Sequence, residues 1–175
     1  MLKWLGPILL GLVVAAATAW AAIAYIPYGL MNVAMDRLGQ GGVNSMSYGN
    51  LATPERQPVV RPSPDLAYSS CPYDLSKGPV AIDVAPAPGR YSSLSLFDAA
   101  TDVIFVRNDV EAGGKPYRII VARQGQAVPA GAEIVRTSHD RGIALIRLLL
   151  KDPTEIGALD AVRRQSSCRT VTNPK

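Results

Sequence analysis

Aromatic residues make up only 6% of this 175-residue chain, histidine occurs once and cysteine twice. Each shortage excludes something. One histidine and two distant cysteines do not make the usual ligand cluster, so no metal site is expected. A catalytic triad would need His139 as its base, yet His139-Asp140-Arg141-Gly142 reads as a turn and no Gly-x-Ser-x-Gly context occurs. His139 is therefore expected to be an exposed turn residue. Glycine-rich phosphate loops are missing too: Gly41-Gly42 and Gly113-Gly114 serve turns, and no cofactor is expected. Charge is sparse at 18%, with a net value of +4. Residues 27–114 hold 6 basic and 9 acidic groups, and residues 115–175 hold 11 and 5. In a sandwich these halves interleave, so the imbalance makes no nucleic-acid face. Arg163, Arg164, Arg169 and Lys175 read as a solvated basic end.

What the chain does have is one long apolar run. Leu5 to Ile26 is apolar apart from Thr18, and follows Lys3. At about 1.5 Å per residue it spans the ~30 Å hydrocarbon core. Trp4 and Tyr25 fall where interfacial aromatics belong. Ala17-Thr18-Ala19 and Ala19-Trp20-Ala21 would fit a signal cleavage rule, but the run is longer than an ordinary signal core. The expectation is an uncleaved single-pass inner-membrane anchor over 1–26, with the remainder in the periplasm. Pro27 is expected to break this anchor from a short stem helix. Met31, Ala34, Met35 and Leu38 give that stem one apolar face, and Gly39, Gly41 and Gly42 end it. Residues 27–58 form the stem and tether, and 59–175 the folded domain.

The domain reads as mainly β, a single sandwich-like unit with a C-terminal helix. Val59-Val60 and Leu66 to Leu75 are strand-like, with Pro72 marking an edge or bulge. Val80, Ile82 and Val84 alternate with Ala81 and Asp83. Ser92, Leu94, Leu96 and Asp98 share one strand face; Ser93, Ser95 and Phe97 share the other. Strands follow at Val103 to Val106, Tyr117 to Ala122, Ala132 to Arg136 and Ile143 to Leu150, and Glu111-Ala112-Gly113-Gly114 is expected to close a hairpin. Asp152-Pro153-Thr154-Glu155 is a helix start with a cap, a proline at the first position and a glutamate three after the cap. That helix should reach about Ser166, with Cys168 just beyond it. In an oxidising compartment the lone pair Cys71 and Cys168 is expected to form one bridge.

The string VVRPSPDLAYSS, then DLSKGP, then GRYSSLSLFDAATDVIF resembles the bacterial family called domain of unknown function 1254. The matching positions include Arg61, Pro62, Asp65, Tyr68, Asp74, Gly78, Pro79, Arg90, Tyr91 and Asp98, within about Val59 to Gln165; Leu66, Ala67 and Cys71 depart from the pattern. The resemblance implies a β-sandwich-like fold and pairing with a family 1214 protein, and it supplies no agreed activity. It carries over Arg61, Asp65, Tyr68, Asp74, Arg90 and Asp98 as motif residues. They form either an architectural network or a ligand-binding polar cluster at one end of the sandwich. The expected function is a non-enzymatic, partner-binding envelope module. The alternatives are a hydrolase or ligand-binding protein using Arg61, Asp65 and Tyr68, and a small-molecule carrier.

Overall fold

Alternation of apolar and polar residues builds two stacked sheets, because each strand has one face to bury. The computed structural model describes residues 2–55, 57 and 62–171. The first sheet has strand order β1-β2-β8-β4-β5, formed by Ser47–Tyr48, Leu66–Asp74, Arg141–Leu149, Ser92–Asp98 and Val103–Asn108. The second has order β7-β6-β3-β9, formed by Glu133–Thr137, Tyr117–Arg123, Val80–Val84 and Ser167–Thr170. All pairings are antiparallel except β6 with β7. Cys71, Tyr73, Leu94, Leu96, Ala144 and Ile146 of the first sheet meet Val80, Ile82, Ile119, Val121 and Cys168 of the second in one core. The long apolar segment Ile143 to Leu150 becomes β8, flanked by strands on both sides. Pro72 fits where it stands: the side of β2 away from β8 pairs with β1 only at Ser69 and Ser70.

Cys71 on β2 and Cys168 on β9 form the expected disulfide, with Cα atoms 6.3 Å apart and 97 positions apart in sequence. The bond joins the two sheets. β9 itself was not expected, since Ser-Cys-Arg-Thr carries no apolar alternation. It forms because its backbone completes the ladder of β3 and its one apolar side chain, Cys168, enters the core.

Two other expectations need correction. Pro27 does not break the N-terminal helix: α1 runs unbroken from Leu5 to Leu38 with Pro27 inside. Proline removes one hydrogen bond, to the Ile23 carbonyl, and the helix continues because its final turns are held by the domain. Met31 and Met35 are buried against Ile143, with Ala34, Leu38 and Phe97 around them. Ser70 donates to the Leu38 carbonyl at 3.0 Å. From Leu5 onward the helix is apolar enough to cross a membrane, with mean hydropathy 2.1 in a window that buries nothing. The expected hairpin at Glu111 to Gly114 is also absent, because β5 and β6 belong to different sheets and the turn carries the chain between them.

A capping box starts the C-terminal helix as expected. Asp152 accepts from the Thr154 amide at 2.8 Å, Pro153 follows, and Glu155 closes the box. A single 3-10 turn, Pro153–Glu155, leads into α2, Ile156–Arg163. The helix ends three residues short of Ser166. Arg164 and Arg169 are solvent-exposed as expected, but Arg163 is not. Arg163 is buried, paired with Asp160, and donates to the carbonyls of Gly49 and Tyr68 at 2.8 and 3.0 Å. Arg169 pairs with Asp83, and Lys175 lies outside the described residues.

Candidate functional site

β2 is nine residues long, so its two ends stand about 30 Å apart. That distance separates the motif residues. Asp65 and Tyr68 lie at one end and Asp74 at the other. Arg61, with Val59 and Val60, lies outside the described residues. The Tyr68 hydroxyl accepts from the Ser63 amide at 3.0 Å. Arg90 also belongs to the first end, where its guanidinium grips Glu155 with two bonds of 2.6 and 2.8 Å. Arg90 thus clamps the loop before β4 onto the cap of α2. The Arg90 bonds hold the Glu155 carboxyl below its usual range.

Asp74 and Asp98 come together at the opposite pole. Asp98 ends β4 and organises the turn into β5. Its Oδ1 accepts from the amides of Ala100 and Asp102 at 2.9 and 3.1 Å. These bonds hold Thr101 in the left-handed region, at φ 67°. Its Oδ2 lies 2.9 Å from Nδ1 of His139, and its side chain is only 8% exposed. The other ring nitrogen of His139 lies 3.2 Å from the Tyr28 hydroxyl, and the two rings meet edge to face. With a carboxylate on Nδ1, the neutral ring is assigned Nδ1–H, leaving Nε2 to accept from Tyr28. His139 is therefore not the freely exposed turn residue expected from its neighbours. It is half-buried between the core carboxylate Asp98 and the N-terminal helix.

Around this chain of contacts the pole is tightly organised. Tyr73 donates to the Phe97 carbonyl at 2.8 Å, and burial with the nearby Asp98 charge pushes its hydroxyl pKa up. Asp74 accepts from the Ser76 amide at 2.9 Å and pairs with Arg141 at 3.2 Å. Burial alone would raise the Asp74 pKa, but the Ser76 and Arg141 bonds outweigh it and hold it below the usual value. Asn44 brackets the Asp74 backbone from both sides, at 2.7 and 3.0 Å.

Beside His139 opens a cleft of about 750 Å³, lined by Arg123, Gln124, Gly125, Gln126, Ser138, His139 and Asp140. Arg123 and Asp140, both in its lining, pair at 3.0 Å, each about half exposed. Gln126 is fixed by the Leu75 carbonyl and the Arg123 amide. Among the described residues, no three His, Cys, Asp or Glu side chains group closely enough to hold a metal. Sequence reasoning did not bring Tyr28, Arg123, His139 and Asp140 together, because they come from three separate segments. The available signal was that each turn at this pole carries a charged or polar residue next to a strand end.

The family described as "Protein of unknown function (DUF1254)" matches residues 43–170. No curated protein matches the chain. Solved structures resemble it, among them the following two. The VPA0106 protein from Vibrio parahaemolyticus superposes with a TM-score of 0.63 at 19% identity, over 89% of this chain and 40% of that one. An uncharacterised protein from Burkholderia cenocepacia gives 0.45 at 13%, over 91% and 44%. The first likeness shows the fold. The chain spans less than half the length of either protein.

Proposed function

The chain belongs to the DUF1254 family, and from that premise we propose that it is a membrane-anchored envelope domain that binds a partner protein and does no chemistry of its own. The dispersal of the motif residues carries this reading. Arg90 clamps α2, Asp74 caps a turn and holds Arg141, and Asp98 builds the β4–β5 turn and holds His139. Each of these three groups is engaged in local architecture, at one pole of the sandwich or the other. Their recurrence in the family pattern then reflects the fold.

The apolar helix is read as an uncleaved inner-membrane span, with the domain in the periplasm. Support comes from the last turns of α1, whose Met31 and Met35 are part of the domain's packing. An oxidising compartment suits the Cys71–Cys168 bond. The proposed partner is a family 1214-like protein, the pairing that the family resemblance implies.

A pull-down of the full-length protein from its native membrane in mild detergent, read by mass spectrometry, tests this. The expected result is a stoichiometric partner that is lost when the β domain is deleted and kept in Asp65→Asn. A monodisperse monomer with no partner would overturn it. One observation favours a second reading, a hydrolase or ligand-binding protein working through Arg61, Asp65 and Tyr68. The Asp65 carboxylate is exposed and has no partner among the described residues. That reading expects the Asp65→Asn change to abolish a ligand-induced rise in thermal stability.

A further inference from the structure

The height of the His139 pole above a bilayer follows from the helix. Tyr28 is two residues beyond Ile26, the last residue of the apolar run, so it stands about 3 Å past the hydrocarbon edge. Each headgroup layer is about 5–7 Å thick. The Tyr28–His139 contact at 3.2 Å, with Met31 and Met35 packed on Ile143 one turn higher, leaves the domain no freedom to stand off. The turns holding Arg123, Ser138, His139 and Asp140 therefore lie among the headgroups. The opposite pole, with Arg90 and α2, points away.

The cleft at that depth has a particular chemistry. Arg123 and Asp140 present one positive and one negative charge, 3.0 Å apart and both about half exposed. The side chains of Gln124 and Ser138 line the cleft and make no hydrogen bond among the described residues. His139 forms the wall on the helix side, held in place by Asp98. A cation alone would favour an anionic lipid. A matched pair with free hydrogen-bonding side chains favours a zwitterion whose phosphate and ammonium separate the pair, each charge taking its complement.

We infer that the cleft beside His139 binds a phosphodiester headgroup bearing a primary ammonium, phosphate on Arg123 and ammonium on Asp140. This rests on the membrane-anchored reading above. A primary ammonium can donate hydrogen bonds to Asp140; a trimethylated one cannot. Phosphatidylethanolamine is the lipid form of this chemistry, and phosphoethanolamine esters are its soluble form.

The test uses the full-length protein in nanodiscs of phosphatidylglycerol mixed with either phosphatidylethanolamine or phosphatidylcholine, with retained lipid counted by native mass spectrometry. The expected result is one retained phosphatidylethanolamine, preferred over phosphatidylcholine by about tenfold. Asp140→Asn should erase the preference, and Arg123→Gln should lower retention of both lipids. Arg141→Gln, which breaks the neighbouring pair with Asp74 outside the cleft, should change neither. Equal retention of the two lipids by the unaltered protein would overturn the inference, as would unaltered retention in both cleft variants. Soluble phosphoethanolamine that displaces the lipid completely at equal concentration would overturn the lipid assignment. The intact mass reads the anchor separately. A chain cut behind Ala19 or Ala21 overturns the anchored reading, whereas an uncut chain without lipid preference overturns the site alone.

Discussion

Gly142 has no room for a side chain. A Cβ there would collide with the Phe97 carbonyl oxygen and the Tyr73 hydroxyl. Both groups are fixed, because they bond each other across the strand ends. Gly142→Ala should lower stability by about 1–3 kcal/mol or more, read from urea denaturation midpoints. Asp98→Ala strips two turn amides and His139 of their acceptor, and should cost about 2–3 kcal/mol in the same measurement. His139→Ala should cost less, since its ring is partly solvated. The sequence already singled out Asp98 and placed it on the same strand face as Leu94 and Leu96. It could not show His139 reaching Asp98 or Tyr28 reaching His139, because 41 and 111 positions separate these partners and only tertiary packing brings them together. An isolated His-Asp-Arg-Gly run carries no record of what lies across from it.

At the scale of elements, periodicity made the main strands legible and left the exceptions to tertiary packing. The capping box of Asp152 to Glu155 could be read directly, since every bond in it is local. β9 could not be read, because its reason for existing is the free edge of β3. The unbroken helix through Pro27 was likewise invisible: proline is a local signal for a break, and the docking that overrides it involves Ile143 and Phe97. The disulfide between β2 and β9 was legible from the count of cysteines and the expected compartment. Replacing both cysteines by serine should lower stability, and a loop of this length sets about 4–5 kcal/mol as the chain-entropy estimate. The change in denaturation midpoint on adding reductant to the unaltered protein should match that of the double variant.

For the whole molecule, the ionisable groups set a window of stability. Asp83 is pushed up by burial, yet bonds from Arg118, Ser167 and Arg169 hold its pKa below the ordinary value. Asp160 is held down by Arg164 and Arg163 against a smaller effect of burial. A depressed carboxylate contributes stability above its unfolded value, near pH 4, and that contribution is lost as pH falls through the folded value. Tyr117 is pushed up to about 12 by burial, and Tyr73 also moves upward. A raised tyrosine favours the fold below its unfolded value, near pH 10, and loses that contribution as pH rises. Denaturation midpoints should therefore be level between roughly pH 5 and 9 and fall on both sides. Asp83→Asn should flatten the acid limb, and Tyr73→Phe should flatten the alkaline limb while lowering the plateau.

The disulfide also decides how the domain answers a mechanical load. Residues 71 to 168 form a covalent ring that holds every strand from β3 to β8. Tension applied at α1 enters that ring at Cys71 and leaves through Cys168 and the short C-terminal stretch. Pulled from its two ends, the oxidised chain can pay out only the segment between α1 and Cys71, the few residues after Cys168 and the helix itself. The 97-residue span inside the ring stays short by roughly 320–350 Å of contour length, which a reductant would release in a single added step. A tug on the helix can strip away the first strand without unravelling the two sheets behind it.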